Sequence, residues 1–186
     1  MGRSMFKLSD EDRSAFATAV AQASTQPALV AAVREVYAAF EAERAGRSPR
    51  CDQSGKCCRF EAYGHRLFVT TVETAAFKAS LQAAPVGSMS NWDGTGCAYQ
   101  VDGLCSAHEA RPFGCRVYFC DPTSTEWQHE QYERFHAAIR ELHERFGVRY
   151  WYAEWRDALA AVELPDPHDL PLPASRERIR LPTVRQ

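Results

Sequence analysis

Apolar residues recur at helical spacing before residue 50, which indicates two amphipathic helices in this part of the chain. Ser9 and Asp12 form a capping pair for the first helix, which we expect to continue to about Ala23. Pro27 suits the first turn of the second helix, and Gly46 is expected to end it. The apolar positions of the two helices are Phe16 and Val20, then Leu29, Val33, Val36, Tyr37 and Phe40.

Two further helices are predicted by capping boxes, in which a threonine precedes a glutamate by three positions. The first box predicts a helix that reaches about Leu81, and the second predicts a long helix that ends at Gly147. The long helix has apolar residues at alternating spacings of three and four. The boxes are Thr70 with Glu73 and Thr123 with Glu126, and the stripe is Tyr132, Phe135, Ile139, Leu142 and Phe146.

The remaining segments predict short strands, loops and one more helix. The run from 67 to 69 is apolar enough for a strand, and Asp102-Gly103 predicts a tight hairpin between Cys97 and Cys105. Residues 85–96 are expected to form a loop with Trp92 as its one large anchor. The aromatic segment 148–162 is expected to include a helix that packs on the core. Its Glu154-Trp155-Arg156 run indicates core packing with surface charges, one of which could border the cysteine segment.

These elements predict a mainly α fold, with helices around one core and an inserted loop-rich lobe that contains a short β-hairpin. The length of 186 residues fits one domain, and we treat 1–186 as such. Within it, 1–50 supplies the N-terminal helices and 51–121 the cysteine lobe. Residues 122–164 supply the C-terminal helices, and the Pro- and Arg-rich residues 165–186 are expected to form an extended tail along the surface.

Composition and charge narrow the partners that the chain is expected to have. The net charge of −2 gives no electrostatic reason to expect nucleic acid or an anionic membrane as a partner. No apolar segment is long enough to cross a bilayer, and residues 1–13 do not resemble a signal peptide. We therefore expect a cytoplasmic protein, in which thiols stay reduced and clustered cysteines indicate metal binding or catalysis. The sequence does not identify a protein partner.

Seven cysteines are the most informative feature of the sequence, and all lie between residues 51 and 120. Their number is odd and several lie next to glycines, which disfavours a disulfide framework and suits turns that converge on an ion. Thiolates in such a set select zinc or iron, including an iron–sulfur cluster. We expect the two groups of cysteines to meet in space, although adjacent side chains in a loop often diverge. The predicted metal ligands are Cys51, Cys57, Cys58, Cys97, Cys105, Cys115 and Cys120.

The cysteine segment resembles the YkgJ-like cysteine-cluster family, a zinc- or iron-chelating domain with a CxxCxxCC motif. Residues 51–58 read Cys-Asp-Gln-Ser-Gly-Lys-Cys-Cys, and the resemblance extends to residue 121. The downstream part is similar to the family's C…GxC…RPxxCRxYxC block. Its matching residues here are Cys97, Gly103, Cys105, Arg111, Pro112, Cys115, Arg116, Tyr118 and Cys120. The resemblance implies metal binding by these cysteines.

Ser54 stands where the family has its second cysteine, and a hydroxyl is a poor ligand for a soft metal. Seven thiolates allow one closed four-cysteine site plus an open three-cysteine site, or a single site that uses only four of them. His108 is either a ligand at the open position or a surface residue. Arg111 and Arg116 are expected to offset the negative charge of the thiolates.

The function predicted from these residues is thiolate binding of zinc or iron. A metal-dependent enzyme is the alternative, since relatives that include flagellin lysine N-methylases imply methyl transfer or redox chemistry at an open metal position. Metal storage or delivery is a third possibility. No nucleotide-binding or hydrolase motif occurs, so no catalytic or cofactor-binding residue is assigned. The helical histidines His129, His136 and His143 lie too far apart to share a metal.

Overall fold

The computed structural model describes residues 8–51, 54–82 and 92–170. Within these ranges the chain is mainly α, as predicted, with seven α-helices, three single 3-10 turns and four short strands. None of the described helices combines the length and the apolarity needed to cross a bilayer. The helices are α1 Asp10–Ser24, α2 Pro27–Arg47, α3 Phe60–Tyr63, α4 Thr71–Ser80, α5 Phe113–Val117, α6 Thr125–Phe146 and α7 Trp155–Ala161. The 3-10 turns are Lys56–Cys58, Pro122–Ser124 and Pro167–Asp169.

The ends of the helices follow the predicted caps in most cases. The Ser9 hydroxyl accepts a hydrogen bond from the backbone N–H of Asp12 at the start of α1. Gly147 adopts a left-handed conformation at the end of α6. The predicted end of α2 is early, because Gly46 lies inside the helix and the left-handed cap is Ser48, two positions later, with φ 50°.

The predicted start of α6 is wrong. Asp121 caps a 3-10 turn at Pro122–Ser124, and its side chain accepts from the backbone N–H of Thr123. The α-helix then begins at Thr125 with no side-chain cap. An aspartate in front of a proline competes with Thr123 for the role of cap, and Pro122 fixes the backbone that favours the earlier turn.

The core lies where α2 and α6 pack together with α4 and α5, as the two apolar stripes predict. Phe40 of α2 is fully buried and makes an edge-to-face contact with Phe135 of α6 at 5.5 Å between ring centres. Phe113 of α5 packs on the same two rings at 5.1 and 5.5 Å. This aromatic cluster holds the short helix α5, and with it the cysteine at position 115, against the long helices.

Two small antiparallel sheets complete the fold. The predicted hairpin is present: β2 (Gln100–Val101) pairs with β3 (Leu104–Cys105), and Asp102 and Gly103 both have positive φ in the turn. The apolar run near residue 68 forms β1 (Phe68–Thr70), and it pairs with β4 (Tyr152–Glu154). The sequence did not indicate β4, because its three residues alternate too briefly to show a strand period.

The predicted surface tail packs on the core at its start, and the rest of it lies outside the described residues. Leu164 and Leu170 are buried, and the Tyr99 hydroxyl donates to the carbonyl of Pro165 at 3.0 Å. Residues 164–170 therefore pack on the core rather than lie on the surface. Residues 171–186 and most of the predicted loop 85–96 fall outside the described ranges, whereas Trp92 is described and donates to the carbonyl of Thr95.

Candidate metal centre

Two hydrogen bonds join the first cysteine group to the second. The backbone N–H of Cys97 donates to the carbonyl of Cys58 at 2.8 Å, and the amide of Gln100 donates to the carbonyl of Gly55 at 2.9 Å. Gly96 allows the first of these contacts. Its φ is +56°, and a Cβ there would lie 2.8 Å from the Cys58 carbonyl oxygen, so only glycine fits without strain.

All seven cysteines line one cavity of about 550 Å³, with Ser54, His108, Arg111 and Arg116 also in its wall. The predicted meeting of the two cysteine groups is therefore confirmed. The cysteines are free thiols that differ in exposure: Cys58 is buried, Cys51 is exposed, and the other five are intermediate. Cys51 thus lies at the open end of this set.

Cys58 lies at the centre of the converging sulfur atoms. Its sulfur is 3.9 Å from that of Cys57, so these adjacent side chains do not diverge; the 3-10 turn at Lys56–Cys58 brings them to one side. Hydrogen bonding to Cys105 is the largest cause that raises the pKa of Cys58, followed by hydrogen bonding to Cys57 and Cys97. The same bond lowers the pKa of Cys105, as expected if the Cys58 thiol donates to the Cys105 sulfur.

The sulfur atoms converge without forming a finished coordination site. The described residues contain no group of three or more His, Cys, Asp or Glu side chains placed to hold a metal ion as they stand. The Cys57–Cys58 sulfur separation of 3.9 Å nevertheless fits a metal. Two thiolates on a tetrahedral zinc, at bonds of about 2.3 Å, lie about 3.8 Å apart. The thiols therefore have the donor chemistry that a soft metal takes, and one pair of sulfurs has the spacing of two ligands on one ion.

Cys97 and Cys115 are the two cysteines that pack against the hydrophobic core. The indole N–H of Trp155 donates to the sulfur of Cys97 at 3.3 Å, and Trp155 is 1% exposed. Burial is the main cause that raises the pKa of Cys115, and the charges of Cys97, Cys57 and Cys105 add to it. A cation among these sulfurs would reverse that effect by stabilising the thiolates.

Ser54 lies beside the sulfur set, where the family resemblance places a cysteine. Its hydroxyl oxygen is 3.8 Å from the sulfur of Cys120, and both residues line the cavity. The carbonyl of Ser54 accepts a hydrogen bond from Arg59 at 3.1 Å, which holds the backbone at this point. A longer or softer side chain at position 54 would therefore reach the same cavity.

His108 borders the cavity, but its ring nitrogens are engaged elsewhere. Arg111 donates to Nε2 of His108 at 2.6 Å, which fixes that nitrogen as the acceptor because arginine has no acceptor atom. Nδ1 then carries the proton and faces the Glu109 carboxylate at 3.2 Å. Burial, with the charge of Arg111, lowers the pKa of His108. In this arrangement His108 holds Arg111 rather than offering a lone pair to a metal.

The two arginines predicted to offset thiolate charge have different roles. Arg116 is held by backbone carbonyls, with Nε donating to Arg111 at 2.9 Å and Nη2 to Glu109 at 2.6 Å, and it stacks on the Tyr37 ring. Its contacts are those of a structural residue. Arg111 is the one whose charge lowers the pKa of Cys105 and opposes the rise at Cys115. The predicted charge compensation therefore applies to Arg111.

Three of the cysteines also border a second cavity, of about 620 Å³. These are Cys57, Cys115 and Cys120, and the rings of His65 and Tyr118 stack beside them at 5.4 Å between ring centres. Tyr118 is 37% exposed. The sulfurs on this side can therefore be approached from two cavities.

Several residues of the site could not be identified from the sequence. Trp155 and Gln100 reach the cysteines across the fold, and no local motif marks them apart from the expectation that one residue of the 154–156 run borders the lobe. Cys115 lies in α5, although the cysteines were expected in turns, because five residues are too few to show a helical period. The glycines beside the cysteines were the one local signal of close backbone approach.

Comparisons with known protein families, with curated proteins and with solved structures return no match for this chain.

Proposed function

We propose that this protein binds zinc or iron, the latter as an ion or an iron–sulfur cluster, through the thiolates of its cysteine cluster. The observation that carries the proposal is the convergence of Cys57, Cys97 and Cys105 on the buried Cys58. Cys51, Cys115 and Cys120 line the same cavity and supply further ligands. The resemblance to the YkgJ-like family points to the same chemistry.

Electrostatics favours a metal over a set of free thiols. Several sulfurs within contact distance cannot all ionise without a cation, since each thiolate raises the pKa of its neighbours, as at Cys115. A soft ion bound by four sulfurs removes that repulsion and keeps the thiolates deprotonated. Zinc would supply a structural cross-link or a Lewis acid, and an iron–sulfur cluster would supply electron transfer.

Two residues near the sulfurs, Trp155 and Arg111, would stabilise such a centre without binding the metal themselves. The Trp155 indole donates to Cys97 at 3.3 Å, and a donor of this kind orients a sulfur ligand and stabilises its negative charge. Arg111 contributes a positive charge near Cys105 and Cys115. These contacts come from different segments of the folded chain, and they support the proposal because they would stabilise thiolates at Cys97 and Cys105.

Metal analysis of anaerobically purified protein tests the proposal. A brown protein with iron and acid-labile sulfide identifies a cluster, and a colourless one with stoichiometric zinc identifies a zinc site. Cys58→Ser should abolish stoichiometric metal, because Cys58 is the sulfur on which the others converge. Cys51→Ser is the matched control at the exposed end of the set, and it should retain more metal than Cys58→Ser. Wild-type protein without zinc or iron would contradict the proposal.

A metal-dependent enzyme, for methyl transfer or redox chemistry, is the second candidate, and the size of the cavities favours it. The cysteine-lined cavity of about 550 Å³ is far larger than a metal ion requires, and a second cavity borders three of the same sulfurs. Replacement of the native metal by cobalt(II) tests for an open coordination position. A change of the cobalt absorption on addition of imidazole would indicate one, whereas an unchanged spectrum would indicate a closed, structural site.

A further inference from the structure

Cationic side chains line the cavity that contains the cysteines. They are Arg44, Lys56, Arg111 and Arg116, and no aspartate or glutamate of the described ranges lines it. The three arginines share the carboxylate of Glu41, which pairs with Arg44 and lies 3.8 Å from Arg111 and 3.5 Å from Arg116. One carboxylate thus faces three guanidinium groups, and the cavity keeps an excess of positive charge.

One bound metal would reduce this excess without removing it. A divalent ion with four thiolates carries a net charge of about −2, so together with Glu41 it leaves one of the four positive charges in the wall uncompensated. Only a second, three-thiolate site filled at the same time would compensate all four. In the absence of metal the excess is larger, because the clustered thiols resist ionisation.

Arg111 has hydrogen-bonding capacity that Arg116 lacks. The nitrogens of Arg116 are engaged by two carbonyls and by Glu41. Arg111 uses Nη1 for His108, whereas its buried Nε has no hydrogen-bond partner among the described residues and its Nη2 has only the 3.8 Å contact with Glu41. Nη2 therefore carries the N–H groups that are left for a carboxylate or phosphate oxygen, because the buried Nε is closed to a ligand in this arrangement.

We propose that this cavity binds a small organic anion, a carboxylate or a phosphate ester, with its oxyanion on Arg111 beside the cysteine sulfurs. Its volume of about 550 Å³ lies within the range of small-molecule sites. Tyr99, Tyr118 and Trp155 give it aromatic walls for the rest of the ligand. The inference goes beyond metal binding, since it depends on the cationic side chains and not on an ion being bound.

Calorimetric titration of the purified full chain tests this inference, at fixed ionic strength and with inorganic phosphate and malonate as separate probes. We expect saturable binding of at least one probe, and the stronger of the two identifies the anion class. Arg111→Gln should weaken that binding about 10- to 100-fold, the usual effect of losing hydrogen bonds to a charged group. Arg34→Gln is the control, because Arg34 lies on the exposed side of α2 outside the cavity wall, and it should bind as the wild type does.

The absence of saturable binding of both probes would overturn the inference, and so would an equal loss in Arg111→Gln and Arg34→Gln. If circular dichroism shows that Arg111→Gln is unfolded, Lys56→Gln decides, since Lys56 lines the same wall and should also weaken binding when it is neutralised. Metal content is measured on the same samples. Anion binding by a chain that holds no metal would contradict the proposed metal function alone, whereas bound metal without anion binding would contradict this inference alone.

Discussion

At the scale of single residues, Gly96 allows the close backbone contact between the two cysteine groups. Gly96→Ala places a Cβ 2.8 Å from the Cys58 carbonyl at a φ of +56°, so the backbone must shift and the Cys97–Cys58 hydrogen bond must weaken. Strain of this kind costs about 1–3 kcal/mol, and we expect a corresponding loss in the free energy of unfolding, with lower metal content. Urea denaturation followed by circular dichroism measures the first quantity.

Gly46→Ala is the matched control for this substitution. Gly46 lies in α2, and nothing lies within 4 Å of a Cβ added there. Alanine has the higher helix propensity, so this variant should be as stable as the wild type or more stable by up to about 1 kcal/mol. Equal stability of the Gly96→Ala variant would mean that the link between Cys58 and Cys97 does not depend on the close backbone approach.

A cysteine in place of Ser54 should supply the site with an additional metal ligand. The Ser54 hydroxyl lies 3.8 Å from the Cys120 sulfur, so Ser54→Cys should add a thiolate to the cavity and raise metal affinity or stoichiometry. Competition with a chromogenic chelator measures this change. If the site is catalytic, the added ligand should also lower activity by closing the open position.

Ser54→Ala and Cys115→Ser are the controls for Ser54→Cys. Ser54→Ala should leave metal content unchanged, because a serine hydroxyl contributes little to a thiolate site. Cys115→Ser should reduce bound metal, since Cys115 lines the same cavity. Wild-type metal content in both Ser54→Cys and Cys115→Ser would place the metal elsewhere.

At the scale of secondary-structure elements, the buried side chain of Glu73 connects β1, α4 and α5. One carboxylate oxygen accepts from the backbone and hydroxyl of Thr70, at the junction of β1 and α4, and the other accepts from the backbone N–H of Phe113 at the start of α5. Glutamine can replace only one of these acceptors. We expect Glu73→Gln to lower the free energy of unfolding by about 1–3 kcal/mol, measured by urea denaturation.

The effect of Glu73→Gln should depend on pH. Burial raises the pKa of Glu73 from its ordinary value of 4.5, so the folded state holds this proton more tightly than the unfolded state does. The stability that Glu73 contributes is therefore present below about pH 4.5 and declines as pH rises through the higher folded-state pKa. The difference in stability between wild type and Glu73→Gln should shrink over that interval. A difference that grows with pH would mean that the folded carboxyl is stabilised in its charged form.

The elements that could be predicted are those with an apolar pattern that repeats over several turns, or with a clear capping or turn motif. The α2 and α6 stripes, the Thr70–Glu73 capping box and the Asp102-Gly103 turn are local signals, and the structure confirms each of them. Short elements such as α5 and β4 form because partners across the fold hold them, and five or three residues carry no usable period. The site divides in the same way. The cysteines are visible in the sequence, whereas Trp155 and Gln100 reach them only through tertiary packing.

At the scale of the whole molecule, the helical core and the cysteine lobe are joined but are stabilised by different contacts. Phe40, Phe113 and Phe135 form an aromatic cluster in the core that includes no cysteine. Trp155 connects the two regions, since its ring packs edge-to-face on Phe77 at 5.0 Å while its indole N–H reaches Cys97. The buried core is built from apolar residues of several helices, so we expect it to stay folded when the sulfur ligands are disturbed.

If the proposed metal is bound, its removal should loosen the lobe and leave the helices. After treatment with a chelator, we expect most of the helical circular dichroism signal to persist, because α2, α4 and α6 pack through side chains that do not depend on the cysteines. Hydrogen exchange should become faster in peptides from 54–63 and 97–120, where the backbone is tied through the Cys97–Cys58 hydrogen bond. Cys58→Ser should respond little to the chelator, since we expect this variant to lack bound metal. Complete loss of helical signal in the chelated wild type would show instead that metal binding supplies the folding energy of the entire chain.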